Sequence, residues 1–353
     1  LFDITTPRII YEAYWLRTFA CTAVVLTHTV NATLDHYSAS ILQWEEYALI
    51  FIRFVMFFGT PTFVFLSELL LAHAYPNGVP KGFFMKRINF LLLPFTFMAF
   101  VYAVIIGDTV LESLLLFSKN LAGGYTGYFV LVILQFYVLH VLLHRFLSRW
   151  SPKIILPVAL IISMIYLAFF NFSDAPSTSL GEYFWLRGYW LPFVGWLFYF
   201  ALGYYCGKNF NEVKNKIQQY RLLVLSFTFI MLVIIMVSVR MDFLDVVSSK
   251  RVDYLLFTTG VIFTIIMFTS KIKKTPRIIL FISKYSFTIY LTHKVYLIYL
   301  PKIPNLHPFL YFIFSTVAAF VVSIMVASIL YKYKYSKYLI GKPLPVPEKS
   351  NYT

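Results

Sequence analysis

The chain has 353 residues, 60% of them hydrophobic and 13% charged, with a formal net charge of +15. A soluble domain carries about 25% charged residues, so this composition excludes an ordinary soluble fold and points to a membrane. The basic excess by itself would suit nucleic acid, but the placement of the charges along the chain excludes that partner.

Apolar runs of about 20 residues recur, each long enough to span a bilayer as a helix. They fall near 11–32, 47–72, 84–106, 125–147, 154–171, 190–207, 221–239, 254–270, 278–300 and 308–331. The runs are continuous rather than alternating, which argues against a barrel. The expectation is an all-α polytopic membrane protein with about ten transmembrane helices. A single transmembrane core covers 1–335 and a tail covers 336–353.

The first run holds Arg17 and His28. An arginine at membrane depth costs at least ~2.5–3.5 kcal/mol, so such residues are rare and usually functional. Eleven helical steps of ~100° end only ~20° past three full turns, so both side chains share one face, ~16 Å apart along the axis. Glu12, earlier in the run, is placed to pair with Arg8. In the second run Phe58-Gly59-Thr60-Pro61 predicts a break, because proline removes a backbone donor. Glu68 follows at membrane depth, read either as a partner for a cation such as Arg17 or Lys86, or as a group that fixes the His28 tautomer.

Lys81, Lys86 and Arg87 precede the third run. They serve as ordinary anchors on the basic side, or as a clamp for a phosphate-bearing ligand. His140 and His144 in the fourth run are spaced i, i+4 without a third ligand, and read as interfacial rather than as a metal site. The stretches 107–124 and 172–189 read as polar loops, the second running into the aromatic patch Phe184-Trp185-Leu186-Arg187-Gly188-Tyr189-Trp190. Such rings favour the membrane interface. His293 lies toward the outer end of the ninth run, as His28 does in the first. Cys21 and Cys206 read as inert packing residues, and no metal cluster, P-loop or dinucleotide fingerprint is present in the sequence. The proline-rich tail from Lys342 cannot be helical.

With the N-terminus inside, the loops that collect Lys81, Arg145, Lys208, Lys271 and Lys332 with their basic neighbours fall on the cytoplasmic side. The opposite loops hold few cations, among them Lys250 and Arg251, and most of the acids. This positive-inside pattern places both termini in the cytoplasm. It makes the basic excess a matter of topology, with anionic lipid or a phosphorylated ligand as its secondary partner.

The chain resembles the acyltransferase-3 family of integral membrane acyltransferases. The likeness rests on Arg17-x10-His28 in the first run, on Lys86-Arg87 ahead of Pro94 in the third, and on Tyr290-Leu291-Thr292-His293 in a late one. Phe58-Gly59-Thr60-Pro61, Gly127-Tyr128-Phe129 with Gln135-Phe136, and Gly195 through Gly203 are similar to the intercellular-adhesion branch from biofilm polysaccharide loci. One departure is that Asn89, Phe90 and Leu91 stand where the family's basic motif has a further arginine.

The resemblance implies a bacterial plasma-membrane O-acyltransferase that takes an acetyl or succinyl group from cytoplasmic acyl-CoA. The acceptor would be an extracytoplasmic polysaccharide, poly-β-1,6-N-acetylglucosamine by the nearer likeness. No metal enters. His28 would be the catalytic base, with Arg17 and Glu68 beside it; Arg17, Lys81, Lys86 and Arg87 would hold the CoA donor; Tyr290, His293 and Trp185 would meet the acceptor. With no hydrolase-like domain fused, transfer is expected to go directly to the acceptor. The rival readings are an exporter of that polysaccharide and a structural subunit of its synthase complex. Few polar residues are available to line a wide sugar channel, and an exporter gives no reason for a fixed spacing from cation to base.

Overall fold

The computed structural model describes residues 9–76, 78–244 and 246–346; Arg8 and the tail beyond Val346 lie outside them. Among the described residues all regular structure is helical. The helices are α1 (Glu12–Tyr37), α2 (Gln43–Met56), α3 (Gly59–Ala74), α4 (Phe83–Arg87), α5 (Leu93–Ile106), α6 (Val110–Leu121), α7 (Phe129–Arg149) and α8 (Pro152–Phe172). They continue as α9 (Ser179–Trp190), α10 (Leu197–Lys208), α11 (Phe210–Gln219), α12 (Arg221–Arg240), α13 (Tyr254–Thr269), α14 (Arg277–Tyr299) and α15 (Pro308–Leu330). Six helical segments are long and apolar enough to cross a membrane: Gln43–Ala74, Phe83–Ile106, Val110–Arg149, Pro152–Phe172, Arg221–Arg240 and Pro308–Leu330.

α1 stands at the centre, packed on α2, α3, α13, α14 and α15. Its Thr18 hydroxyl donates to the Ile279 carbonyl of α14 at 2.9 Å. The most intimate crossing is α10 on α3, made by Gly203 and Gly207, where a β-carbon would run into the carbonyls of Phe65 and Leu69. Small residues four apart let two backbones touch, which is how helices gain packing energy where lipid supplies no hydrophobic drive. α12 is the opposite case. Leu222, Leu223, Phe229 and Ile230 are exposed, an apolar surface suited to lipid.

The expected break in the second run falls between α2 and α3 at Phe57 and Phe58. Pro61 sits in the first turn of α3, where a missing N–H breaks no helical bond. The adjoining Gly59 packs against α1, where a β-carbon would lie 2.8 Å from the Ala20 carbonyl. The third run is also interrupted, by a π-helical turn at Ile88–Leu92 that joins α4 to α5.

Two of the expected loops contain helices. α6 opens on Thr109, whose hydroxyl accepts from the Glu112 amide at 3.1 Å, while the Asp108 amide donates to the Glu112 carboxylate at 3.0 Å. The threonine caps the helix and the carboxylate reaches back to the amide just before the cap, and the Thr-x-x-Glu spacing is visible in the sequence. α9 opens on Thr178, which caps the Gly181 amide at 3.1 Å. The tail turns back onto the core past residue 335. Ile340 is buried, the Thr288 hydroxyl donates to its carbonyl at 3.1 Å, and the Leu344 amide donates to the Lys284 carbonyl at 3.0 Å.

Candidate active site

Helix α1 runs unbroken through Arg17 and His28, so the shared face expected from their spacing is realised. The Arg17 guanidinium donates to the Ser283 hydroxyl of α14 at 3.1 Å and lies 5.9 Å from the Tyr14 ring. The Arg87 guanidinium lies 4.7 Å from the Tyr137 ring of α7 and 4.8 Å from that of Phe83. Both guanidinium groups thus lie against aromatic rings. Neither has a carboxylate in ion-pair range among the described residues, and the buried Nε of Arg87 has no partner. Uncompensated guanidinium groups with spare donors suit a phosphate or carboxylate ligand. Lys81 and Lys86 are exposed beside Arg87, in the turn before α4 and within it.

Farther along α1, the His28 ring lies 5.1 Å from that of His293 on α14. The Nδ1 of His293 is 2.8 Å from the Ile289 carbonyl. A carbonyl only accepts, so Nδ1 carries the proton and Nε2 is left as a lone pair. That Nε2 is buried and has no partner. Tyr290 stands 6.5 Å from His293, but its hydroxyl is committed to the Thr126 carbonyl at 2.5 Å.

Other expected neighbours are placed elsewhere. Glu68 bonds His140 at 2.6 Å, and both side chains are 1% exposed. It therefore meets neither Arg17 nor Lys86. His140 is buried rather than interfacial, because α7 continues for more than two further turns beyond it to Arg149. Glu12 pairs with Lys214 of α11 at 3.4 Å. Trp185 packs on α8 through Phe169 and Phe170, with ring centroids 5.4 and 4.7 Å away.

The sequence reading missed a second feature of this surface. Lys250, in the connection between α12 and α13, is 2% exposed. Its Nζ lies 5.1 Å from the Tyr128 ring, 5.2 Å from Tyr189, 5.6 Å from Trp190 and 5.0 Å from Trp196. Burial pulls its ammonium well below the usual lysine range. In the sequence it is indistinguishable from any loop lysine, and only the recurrence of tyrosine and tryptophan near predicted helix ends hinted at a box. Among the described residues no group of His, Cys, Asp and Glu side chains could hold a metal.

The chain matches the model of the acyltransferase-3 family, described as "Acyltransferase domain", over residues 10–328. It is 36% identical to the "Putative membrane-bound acyltransferase YfiQ" of Bacillus subtilis, over 94% of each chain. It is 28% identical to the "Probable poly-beta-1,6-N-acetyl-D-glucosamine export protein" of Staphylococcus aureus, strain MRSA252, over 82% of this chain and 83% of that one. The protein of that name from Staphylococcus epidermidis is 28% identical, over 81% of each chain. No solved structure matches. The matched span takes in α1 with Arg17 and His28, the helices that carry Arg87 and Tyr137, and α14 with His293, so the chain belongs to the acyltransferase-3 family of membrane proteins.

Proposed function

We propose that this protein is an O-acyltransferase of about ten spans, with both termini on the basic, cytoplasmic side of a bacterial plasma membrane. It takes an acetyl or succinyl group from acyl-CoA on that side and delivers it to a saccharide hydroxyl on the other. The observation that carries the reading is the division of one α1 face into an anion-seeking end and a lone-pair end. Arg17 stands at the first, hydrogen-bonded only to a neutral hydroxyl and joined in this reading by Arg87 of α4, and His28 meets His293 at the second. The two ends are ~16 Å apart along the helix, a span that suits an extended thioester arm.

In this reading Lys81 and Lys86 attract the donor's phosphates at the mouth, and Arg17 with Arg87 grips its anionic part farther in. His293, its Nδ1 proton held by Ile289, stands beside His28 with its Nε2 lone pair unpartnered. His28 then takes the proton of the acceptor hydroxyl as the oxygen attacks the thioester carbonyl. Histidine suits this task because its ordinary pKa lies near 6.5. The C–S bond breaks as the ester forms, and His28 returns its proton to the leaving thiolate. Thioester and alcohol become ester and thiol, with nothing left over.

Glu68 and His140 are hydrogen-bonded to each other and act on this chemistry only by holding α3 against α7. The acceptor class, a poly-N-acetylglucosamine, is drawn from the printed names of the staphylococcal relatives. Those names also support a second reading, passage of the saccharide itself through the bundle. The test is a proteoliposome assay with labelled acyl-CoA on one face and oligosaccharide on the other. The expected result is labelled ester only when acyl-CoA meets the basic face. Movement of oligosaccharide with no acyl transfer from either face would overturn the reading in favour of export.

A further inference from the structure

The connection holding Lys250 is rigidly built. Arg251 beside it is 1% exposed and bonds Asp253 at 2.7 Å, Ser238 at 2.8 Å and the Leu244 carbonyl at 3.1 Å. The Lys250 carbonyl accepts from the Tyr189 hydroxyl at 2.9 Å and from the Asn171 amide at 3.3 Å. The next amide, of Val252, donates to the Asn171 side-chain oxygen at 2.8 Å. Backbone and neighbours are thus fixed on all sides, yet the amine they present has a single acceptor, the Tyr189 carbonyl at 3.3 Å. No carboxylate pairs with it among the described residues. A buried amine with unused hydrogen-bonding capacity is costly to keep. Supports of this kind are what a preorganised binding group needs.

The box is also joined to the histidines. Trp196 contacts Phe129 with ring centroids 5.9 Å apart, Phe129 contacts Tyr290 at 6.3 Å, and Tyr290 contacts His293. A continuous row of rings therefore leads from Lys250 to the His28 pair. Tyr128 and Trp190 lie stacked, 5.7 Å apart, at its outer end.

We propose that Lys250 and the rings of Tyr128, Tyr189, Trp190 and Trp196 form an acceptor subsite for a neutral pyranose. Resting on the acyl-transfer reading, it deepens that reading by locating the sugar. Its chemistry is that of saccharide recognition. Flat aromatic faces meet the apolar C–H face of the ring, and one buried polar group fixes its orientation through a hydroxyl. The lysine side chain fills the space between the rings. The arriving sugar takes that space, and the amine turns to hydrogen-bond it. The amine can hydrogen-bond sugar hydroxyls, and because burial disfavours its charge it gives an anionic sugar little advantage over a neutral one.

The test is binding of a short β-1,6-linked N-acetylglucosamine oligosaccharide to the detergent-solubilised full chain, read by tryptophan fluorescence and calorimetry. Acyl-CoA binding is measured in parallel. The wild type should bind the sugar saturably. Lys250→Met should bind at least ~10-fold more weakly, keep acyl-CoA binding and melt at a higher temperature, since a buried amine has been replaced by an apolar chain. Lys250→Gln, which keeps a hydrogen-bonding end, should recover part of the sugar affinity. Undiminished sugar binding by Lys250→Met, or a lower melting temperature with binding intact, overturns the subsite and makes Lys250 a structural residue. Acyl-CoA binding and acyl transfer without any sugar binding also overturn it while leaving the acyltransferase reading in place. Sugar binding that depends on Lys250, in a protein that binds no acyl-CoA, supports the subsite and defeats the acyltransferase reading.

Discussion

Two pairs containing histidine sit in this bundle, and they are built on opposite principles. Glu68 and His140 are an acid and a base, hydrogen-bonded at 2.6 Å, beside the close α3–α10 crossing at Gly203. The hydrogen bond satisfies one buried polar atom of each, which would be costly to leave unpaired. His28 and His293 are two bases with rings in contact and no acid between them. A pair of bases gains nothing by sharing charge. It is stable in an apolar setting only while both rings are neutral, and neutral imidazoles keep lone pairs. The first pair is suited to holding helices together, the second to taking a proton.

The sharpest way to break this contrast is to remove one member of each pair. His28→Ala should lower acyl transfer by about 10²–10⁴-fold, the usual contribution of a general base, with little change in melting temperature. Glu68→Ala should do the reverse. It should destabilise the fold by about 1–3 kcal/mol through the unpaired His140, while the folded fraction still binds acyl-CoA. A thermal unfolding series beside a turnover assay reads both, and a catalytic loss in Glu68→Ala without destabilisation would erase the distinction. Smaller effects sharpen it. Arg17→Lys should weaken acyl-CoA binding by about 10-fold, because an ammonium keeps the charge but loses the planar fork. Arg87→Gln should weaken it a few-fold, and wild-type binding should fall with added salt as the screening length shrinks to about 8 Å at physiological strength.

The smallest effect concerns pH. The Lys250 ammonium is held below the ordinary lysine value of about 10.4, so between those limits the unfolded chain binds more protons than the folded one. Stability should therefore be fullest above the ordinary value and decline as pH falls toward the lowered one. The phenols of Tyr128 and Tyr189 and the Arg251–Asp253 pair surround the site in both forms. Lys250→Met should flatten the slope of unfolding free energy against pH, as measured by denaturant titration in detergent.

What the sequence disclosed follows the same division. The helix positions were readable because apolar runs of span length leave few alternatives, and α7, predicted over 125–147, covers Phe129–Arg149. The Arg17–His28 face was readable because helical periodicity is local. The partners were not, since pairing depends on which helices meet. Nothing in the spacing of Glu68 says that α7 brings His140 to it, and nothing near Glu12 says that it meets Lys214. α6 and α9 were lost within polar stretches, although the Thr109-x-x-Glu112 cap was there to be read. Lys250 was hidden because a buried loop lysine and an exposed one have the same sequence.

The π-helical turn at Ile88–Leu92 has a consequence for how the Arg87 clamp is aimed. Such a turn amounts to one residue inserted into an α-helix, and one residue is worth ~100° of rotation. The turn takes in Asn89, Phe90 and Leu91. Arg87 reaches Tyr137 from a helix whose phase has been reset relative to α5. Deleting one residue between Asn89 and Leu91 would restore a plain helix and turn the guanidinium about a quarter-circle away from the Tyr137 ring. In this protein the angular register of a single helix, counted in whole residues, sets which ring Arg87 faces.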